Sequence, residues 1–449
     1  MKVLLTHGYF LKEDEKEQEI MRPYPPLGML YVSAYLKTKK QNVVLVDNTF
    51  ISKKEWKQKI KDEAPDIIAF YANLVTKLNV LELLQYTKKE YPNIITCVGG
   101  PDVTYNIDNY LNAGFNYAIS GEGEQTLYEL TEQLSLKQPI SSIQGIAFKK
   151  DNEIIQNEAR TKIKELNTLP FPDRDSIPIE KYLSTWKEHH GKRTLNISTQ
   201  RGCPYTCKWC STAVYGQSYR RNPPVRVVEE ILYLQKEFAA EALWFVDDVF
   251  TVSHKWINEL HLEFKKNNLV IPFEIITRAE RLNDQILTQL KEMGCFRIWI
   301  GAESGSQKII DKMDRRVSLE VVQEMIQKTR AFGIEAGTFI MVGYPDEKHE
   351  DILATMDHIK KCCPDYLTIT KAYPIKGTGL YNEVEKDFIG NLDWNESTDR
   401  DITFELPYSD TYYDNAIRYL VNGWKAKRFG SIKDAVKSKL ALSLMKINK

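Results

Sequence analysis

The chain has 449 residues, with 61 basic and 61 acidic side chains and a formal net charge of zero. That length suggests two or three domains, each with its own core, and the balanced charge argues against nucleic acid or an acidic partner. Seven cysteines, three of them in one short run, do not resemble a secreted disulfide framework.

The first residues lack the long apolar stretch of a signal peptide. No uninterrupted apolar run approaches the ~20 residues that span a bilayer. A reducing cytoplasm is the expected setting.

Residues 1–140 alternate short apolar runs with helical patterns. Strands are expected at 3–5, 43–46, 67–71, 94–98 and 117–119, with amphipathic helices such as 27–39 and 80–90 between them. Such alternation implies a parallel sheet covered on both faces. An added hairpin is expected from 143–148 and 153–156, around Asp151-Asn152. Residues 158–190 break the pattern, and their closely spaced prolines predict an extended, ordered connector. A second series follows, with strands at 194–199, 243–246, 273–277, 296–300, 337–342 and 366–370. Helical patterns at 225–238, 284–293, 319–332 and 349–361 separate them. Six βα units suit an open, partial barrel, with ligands at the C-terminal ends of its strands. Residues 424–449 carry eight basic residues and one acidic, and read as an amphipathic helix. The ordinary reason for such a pattern is an apolar face packed on the barrel. The other is contact with anionic lipid.

The cysteine run follows the first strand of the second series. It reads Cys203-Pro-Tyr-Thr-Cys207-Lys-Trp-Cys210, the spacing Cys-x3-Cys-x2-Cys. Thiolates are soft ligands for iron–sulfur clusters or zinc. A structural zinc site wants a fourth protein ligand, and the nearest histidines, His189 and His190, lie upstream across a strand. In a four-iron cubane, three thiolates leave one iron open to a reacting ligand. Cys97, Cys295, Cys362 and Cys363 fall in predicted strands or helix ends and read as buried hydrophobes.

With this loop, the chain resembles the radical S-adenosylmethionine enzymes. The resemblance implies a 4Fe–4S cluster on Cys203, Cys207 and Cys210, and S-adenosylmethionine bound at the open iron. It also implies a 5′-deoxyadenosyl radical that takes hydrogen from unreactive carbon. Trp209 matches the position that packs near the adenine. Further segments match at strand ends. They carry Asp247 and Asp248 after the second strand, Arg278 after the third, and Glu303 and Ser304 in the glycine-rich end of the fourth. The carboxylates suit ammonium or ribose hydroxyls, and Arg278 suits the cofactor carboxylate. The stretches 341–345 and 373–378 end the fifth and sixth strands. Each alone is ordinary βα-turn chemistry.

The N-terminal region carries Gly28 in a Tyr-Pro-Pro-Leu-Gly stretch, Gly99-Gly100 after the fourth strand, and Gly121-Glu122-Gly123 after the fifth. Glycines there permit close backbone approach to a ligand, or tight βα turns. Their order resembles the cobalamin-binding domain that precedes the radical domain in a large class of these enzymes. Leu74 and Val75, after the third strand, match the loop near the lower face of cobalt. The Asp-x-His-x-x-Gly motif that supplies a lower histidine ligand is missing. In the resembling class it is commonly absent, so cobalamin binding would rest on the glycine turns. His7 is expected to be a satisfied polar group at a strand end.

The resemblance therefore implies an α/β chain in four parts. A Rossmann-like cobalamin-binding domain at 1–140 is followed by a hairpin and proline-rich connector at 141–190. A partial (β/α)6 radical S-adenosylmethionine barrel spans 191–380. A small, mainly helical C-terminal region, a candidate substrate lid, spans 381–449. The implied activity is methylation of an unactivated carbon, or a phosphinate, of a small-molecule or lipid substrate. The cobalamin would be methylcobalamin or hydroxocobalamin, and the electron donor of flavodoxin or ferredoxin type. Two alternatives stay open: oxidation or cyclisation with the same cofactors, and a non-catalytic cobalamin or iron–sulfur sensor. A monomer is expected, with peripheral membrane contact through the C-terminal helix.

Overall fold

The computed structural model describes residues 1–448; Lys449, the last residue of the expected terminal helix, lies outside the described residues. The described chain forms two compact units. The first comprises Met1–Cys203, Thr212–Ala242 and Asn391–Asp401, and the second Pro204–Ser211, Leu243–Gly390 and the residues from Ile402 onward.

The first unit is built on a seven-stranded sheet. Its strands are β1 (Lys2–His7), β2 (Asn42–Val46), β3 (Ile67–Tyr71), β4 (Ile95–Gly99), β5 (Tyr117–Ile119), β6 (Ile146–Lys150) and β7 (Glu153–Gln156). Their order is β2-β1-β3-β4-β5-β6-β7. The first five run parallel, and β6 and β7 are antiparallel additions. Val3, Leu4 and Leu5 are all buried, because helices cover both faces. Alternate side chains then feed different cores: Leu4 packs with Ile68, Phe70 and Trp56, while Val3 and Leu5 pack with Ile67, Leu36 and Leu127. Chain order reverses between β1 and β3, which opens a crevice at the C-terminal strand ends.

Two segments differ from expectation. The hairpin strand begins at Ile146 rather than 143. Ile143 is buried in a turn, and the chain becomes extended only after Gly145 (φ 76°). Asp151 and Asn152, both with positive φ, form the two-residue turn to β7. The connector is not extended throughout, since Ile179–His190 is a helix. It starts directly after Pro178, buries Tyr182, Leu183 and Trp186 at helical spacing, and stops at Gly191 in the left-handed region. The prolines mark its start, not an absence of helix.

The same unit contains β8 (Thr194–Ile197), then a short antiparallel pair, β9 (Gln200–Arg201) with β10 (Arg220–Arg221). Gly202 follows β9 with φ 86°, and a Cβ there would lie 2.5 Å from the Ser218 carbonyl oxygen.

The second unit holds five parallel strands: β11 (Ala242–Phe245), β12 (Phe273–Thr277), β13 (Cys295–Glu303), β14 (Glu335–Val342) and β15 (Tyr366–Lys371). All six expected strands of the second series therefore form, β8 being the first. Helices His254–Lys266, Asp284–Met293, Leu319–Ala331 and His349–Cys362 alternate with the five. Ser253, Asn283 and Ser318 cap three of them by accepting a backbone N–H. β13 runs three residues beyond the expected end. Its register shifts between Gly301 and Glu303, and Glu303 has φ 65°. That bulge re-aims the strand's last side chain.

The C-terminal pattern is two helices, Asp410–Phe429 and Ile432–Ile447, rather than one. Gly430 (φ 67°) ends the first, and the Ser431 side chain accepts from Asp434 N to start the second. Among the described residues no helix is long and apolar enough to cross a membrane.

Gly202→Ala should lower stability by about 2 kcal/mol through its forced φ alone. Thermal unfolding of the variant against the parent measures this, and an unchanged midpoint would contradict it.

Candidate cofactor sites

The cysteine loop of the second unit is held by backbone and guanidinium contacts. Lys208 N donates to Met313 O at 3.0 Å, and Leu380 N donates to Lys208 O at 2.7 Å. Thr206 Oγ1 donates to Asp314 Oδ2 at 2.5 Å. Arg278 lies 4.0 Å over the Tyr205 ring and donates Nη1 to Cys207 Sγ at 3.3 Å. It also pairs with Glu280 and with the carbonyl of Arg315. Arg278 thus serves the cysteine loop itself. Trp209 is half-buried against Tyr344, Leu380 and Val384.

Cys203 is buried, Cys207 half-buried and Cys210 exposed. Among the described residues no three Cys, His, Asp or Glu side chains are gathered as a metal-binding group. The donor chemistry is nevertheless that of an iron–sulfur site. Three thiols share one loop, with the Arg278 guanidinium beside Cys207.

The strand ends carry groups suited to a zwitterion. Asp247 is buried after β11, and Asp248 beside it is open to solvent but recessed among protein atoms. Desolvation, then the charge of Asp247, pushes the Asp248 carboxyl up to about 6. Burial pushes Glu303 up to about 7, against the pull of Arg315 and Arg278. Sequence reasoning missed Arg315. It is buried, donates Nη2 to Gly301 O at 3.0 Å, and leaves Nε and Nη1 without partners. A buried guanidinium with two spare donors fits a carboxylate ligand. Only the bulge in β13 could have hinted at it, and a bulge is not legible in sequence. Ser304 is buried within its own turn, accepting from Ser306 N at 3.1 Å.

Beyond β14, Glu347 is buried and accepts from Gly343 N at 2.6 Å. Its Oε1 and the hydroxyls of Tyr344 and Tyr413 have no partners. Burial raises the Glu347 carboxyl to about 8, so it is largely protonated at neutral pH.

The first unit holds a cavity of about 220 Å³ at the ends of β1, β3, β4 and β5. Gly28, Gly99, Gly100, Gly121, Glu122 and Gly123 all line it; Leu74 and Val75 do not. Their loop is instead folded on Asn73, whose Oδ1 accepts from Val75 N and Thr76 N. Gly100 has φ 122°, and a Cβ there would collide with the Ala72 carbonyl. The inner wall is apolar, with Leu5, Ala69, Cys97, Ile119 and Leu127. The space suits a flat apolar limb of a larger ligand, admitted where glycines leave out side chains.

Arg201, also on the cavity wall, was not anticipated. It donates to Glu122 Oε1 at 2.6 Å and to Glu124 Oε1 at 2.5 Å, all three side chains being buried. Its guanidinium lies 5.2 Å from the centre of the Tyr31 ring and 5.3 Å from that of Tyr215. Glu122 Oε2 accepts from Ile163 N at 2.8 Å and Arg220 Nη1 at 2.8 Å. Glu122 therefore braces the wall with both oxygens. His7 is buried, with Nε2 2.9 Å from Asp47 Oδ1 and Nδ1 accepting from Tyr9 N at 3.0 Å. Both ring nitrogens are occupied.

A profile of the B12 binding domain matches residues 19–131, and one of the Radical SAM superfamily matches residues 197–359. The chain belongs to the radical S-adenosylmethionine enzymes that carry a cobalamin-binding domain. Its cofactors are a 4Fe–4S cluster, S-adenosylmethionine and cobalamin. An uncharacterized methyltransferase of Pyrococcus horikoshii is 27% identical over 391 residues, 86% of this chain and 84% of that protein. The anaerobic magnesium-protoporphyrin IX monomethyl ester cyclase of Rubrivivax gelatinosus is 26% identical over 395 residues, covering 86% and 70%. The solved structure of the cobalamin-dependent S-adenosylmethionine radical enzyme OxsB with aqua-cobalamin bound shares the fold. It has a TM-score of 0.76 at 16% identity, over 99% of this chain and 76% of that one.

Two outcomes are expected. Arg201→Met removes the arginine paired with buried Glu124 and one of the two arginines on Glu122, and should cost about 3–5 kcal/mol in denaturant unfolding. A loss below about 1 kcal/mol would show that the network is not stabilising. For Glu347, the folded pKa lies above the unfolded value, so its contribution to stability is complete at low pH. It is lost as pH rises from about 4.5 through 8. The difference in melting temperature between Glu347→Gln and the parent should therefore move in favour of the variant between pH 5 and 8.5. No movement would contradict a raised pKa.

Proposed function

We propose that this enzyme methylates an unactivated carbon, or a phosphinate, of a small-molecule or lipid substrate. The observation that carries the reading is the methyltransferase relative, aligned across both domains at 27% identity. When bound, the cluster with S-adenosylmethionine supplies a 5′-deoxyadenosyl radical, and cobalamin supplies a transferable methyl group.

The chain's own residues hold and orient these groups. Cys203, Cys207 and Cys210 are the cluster ligands, with Arg278 balancing charge at Cys207. Asp247, Asp248 and Glu303 receive the ammonium and hydroxyls of S-adenosylmethionine, and the spare donors of Arg315 receive its carboxylate. Trp209 flanks the adenine, and Ser304 shapes the turn beside it. Gly28, Gly99, Gly100, Gly121 and Gly123 admit part of the cobalamin, and Glu122 with Arg201 keeps that wall in place. Residues 1–140 and 191–380 are the cobalamin and radical domains. Leu380, Val384 and Phe404 pack in one cluster with Tyr344 and against Trp209, which supports a water-excluding lid from the region after 380. A flavodoxin- or ferredoxin-type donor supplies electrons.

The cyclase relative, at 26% identity, favours a second reading: oxidation or cyclisation with the same cofactors. One experiment separates them without a known substrate. Reconstituted holoenzyme is reduced with S-adenosylmethionine labelled in its methyl group, and the protein-bound corrinoid is analysed by mass. Methyl transfer predicts labelled methylcobalamin. Formation of 5′-deoxyadenosine with no label in the corrinoid would contradict it and support the oxidative reading. Cys207→Ala should lose the cluster absorbance and 5′-deoxyadenosine while retaining bound cobalamin.

A further inference from the structure

The helix Ile432–Ile447 does not pack as its apolar content suggests. The face turned inward carries Ser438, Ala441 and Met445, all buried. Ser438 Oγ donates to Tyr419 O at 2.9 Å on the preceding helix, and lies 3.2 Å from where a Cβ on Gly423 would stand. Small residues thus bring the two helices together. Four large apolar residues of the helix are left outside. Ile432, Val436, Leu440 and Ile447 are 60–82% exposed, as is Phe429 at the end of the neighbouring helix.

Their placement is not scattered. At about 100° per residue, Ile432, Val436, Leu440 and Ile447 fall within an arc of about 80°. Lys439 and Lys446 lie along one edge of that arc, and Lys433 and Lys437 along the other; all four are exposed. The one acidic residue of the helix, Asp434, lies on the packed side, where its N–H is bound by the Ser431 cap. The outer face is an apolar strip, interrupted by the exposed Ser443, with a lysine border on both sides and no carboxylate.

We propose that this face docks on an anionic lipid surface. The strip enters the boundary between headgroups and acyl chains, and the lysines reach outward to lipid phosphates with their stems along the apolar edge. The lysine border favours lipid over a protein partner, because lysine is depleted at protein–protein interfaces. The strip supplies apolar area and the border supplies charge attraction, so binding requires both. This surface is separate from the cofactor sites and does not depend on which reaction the enzyme performs.

The test uses the full-length protein as purified, without substrate or reductant. Sedimentation is measured with vesicles of phosphatidylcholine alone and with equal parts phosphatidylglycerol. The expected result is binding to the anionic vesicles, weakened about tenfold or more when salt is raised from 0.1 to 0.5 M. The variant Val436→Gln with Leu440→Gln changes only exposed side chains, so its fold is preserved; it should bind at least about tenfold more weakly. Lys433→Glu with Lys437→Glu should do the same. Absence of binding to anionic vesicles, or unchanged binding by both variants, overturns the proposal. So does a parent dimer in light scattering that the glutamine variant makes monomeric, without vesicle binding by either.

Discussion

A buried arginine between two carboxylates supports the arrangement of the first unit. Arg201 bridges Glu122 and Glu124, at the start of the helix that follows β5, and it immediately precedes Gly202 and Cys203. Desolvating three charges is expensive, and only close hydrogen-bonded pairing offsets the cost. The network therefore tolerates few alternative geometries. It fixes the glycine turn that lines the cavity, and it fixes the backbone from which the cysteine loop departs. One cluster of charges thus braces both the wall of the glycine-lined cavity and the residues that lead into Cys203. Gly202 completes this constraint, since its left-handed φ leads the chain out of β9 past Ser218.

In the second unit the governing feature is incomplete pairing. Arg315 has two buried donors without partners, and Glu303 and Asp248 are carboxyls raised toward neutrality. Such groups are costly in an empty protein and become favourable when a ligand supplies opposite charges. S-adenosylmethionine carries an ammonium, a carboxylate and ribose hydroxyls, which match this set. Arg278, by contrast, is already engaged with the cysteine loop.

Much of this was readable from the sequence, for physical reasons that differ by element. Strands buried on both faces are continuous apolar runs, so β1, β3 and β5 were visible without alignment. The glycines at 99, 100, 121 and 123 stood after strands and Gly28 in the Tyr-Pro-Pro-Leu-Gly stretch, and all line one cavity. What was hidden depends on tertiary pairing. Glu122 was named only as part of its glycine turn, because nothing local announces that Arg201 and Arg220, about eighty and one hundred residues away, consume it. Leu74 and Val75 were placed by loop position; their loop is folded on Asn73, and neither lines the cavity. The helix Ile179–His190 was obscured by prolines that begin it. The terminal helix was recognised as amphipathic, yet which apolar face is buried depends on small residues that carry little hydropathy signal.

One chain is expected to hold both metallocofactors through these two sets of residues. Metal analysis with absorption spectroscopy of anaerobically reconstituted protein tests it directly. The expected result is one cobalt and about four irons per chain, with Cys203→Ala, Cys207→Ala and Cys210→Ala each losing iron but keeping cobalt. Protein that takes up the cluster yet binds no cobalamin at saturating concentration, or whose iron survives loss of these cysteines, would contradict it.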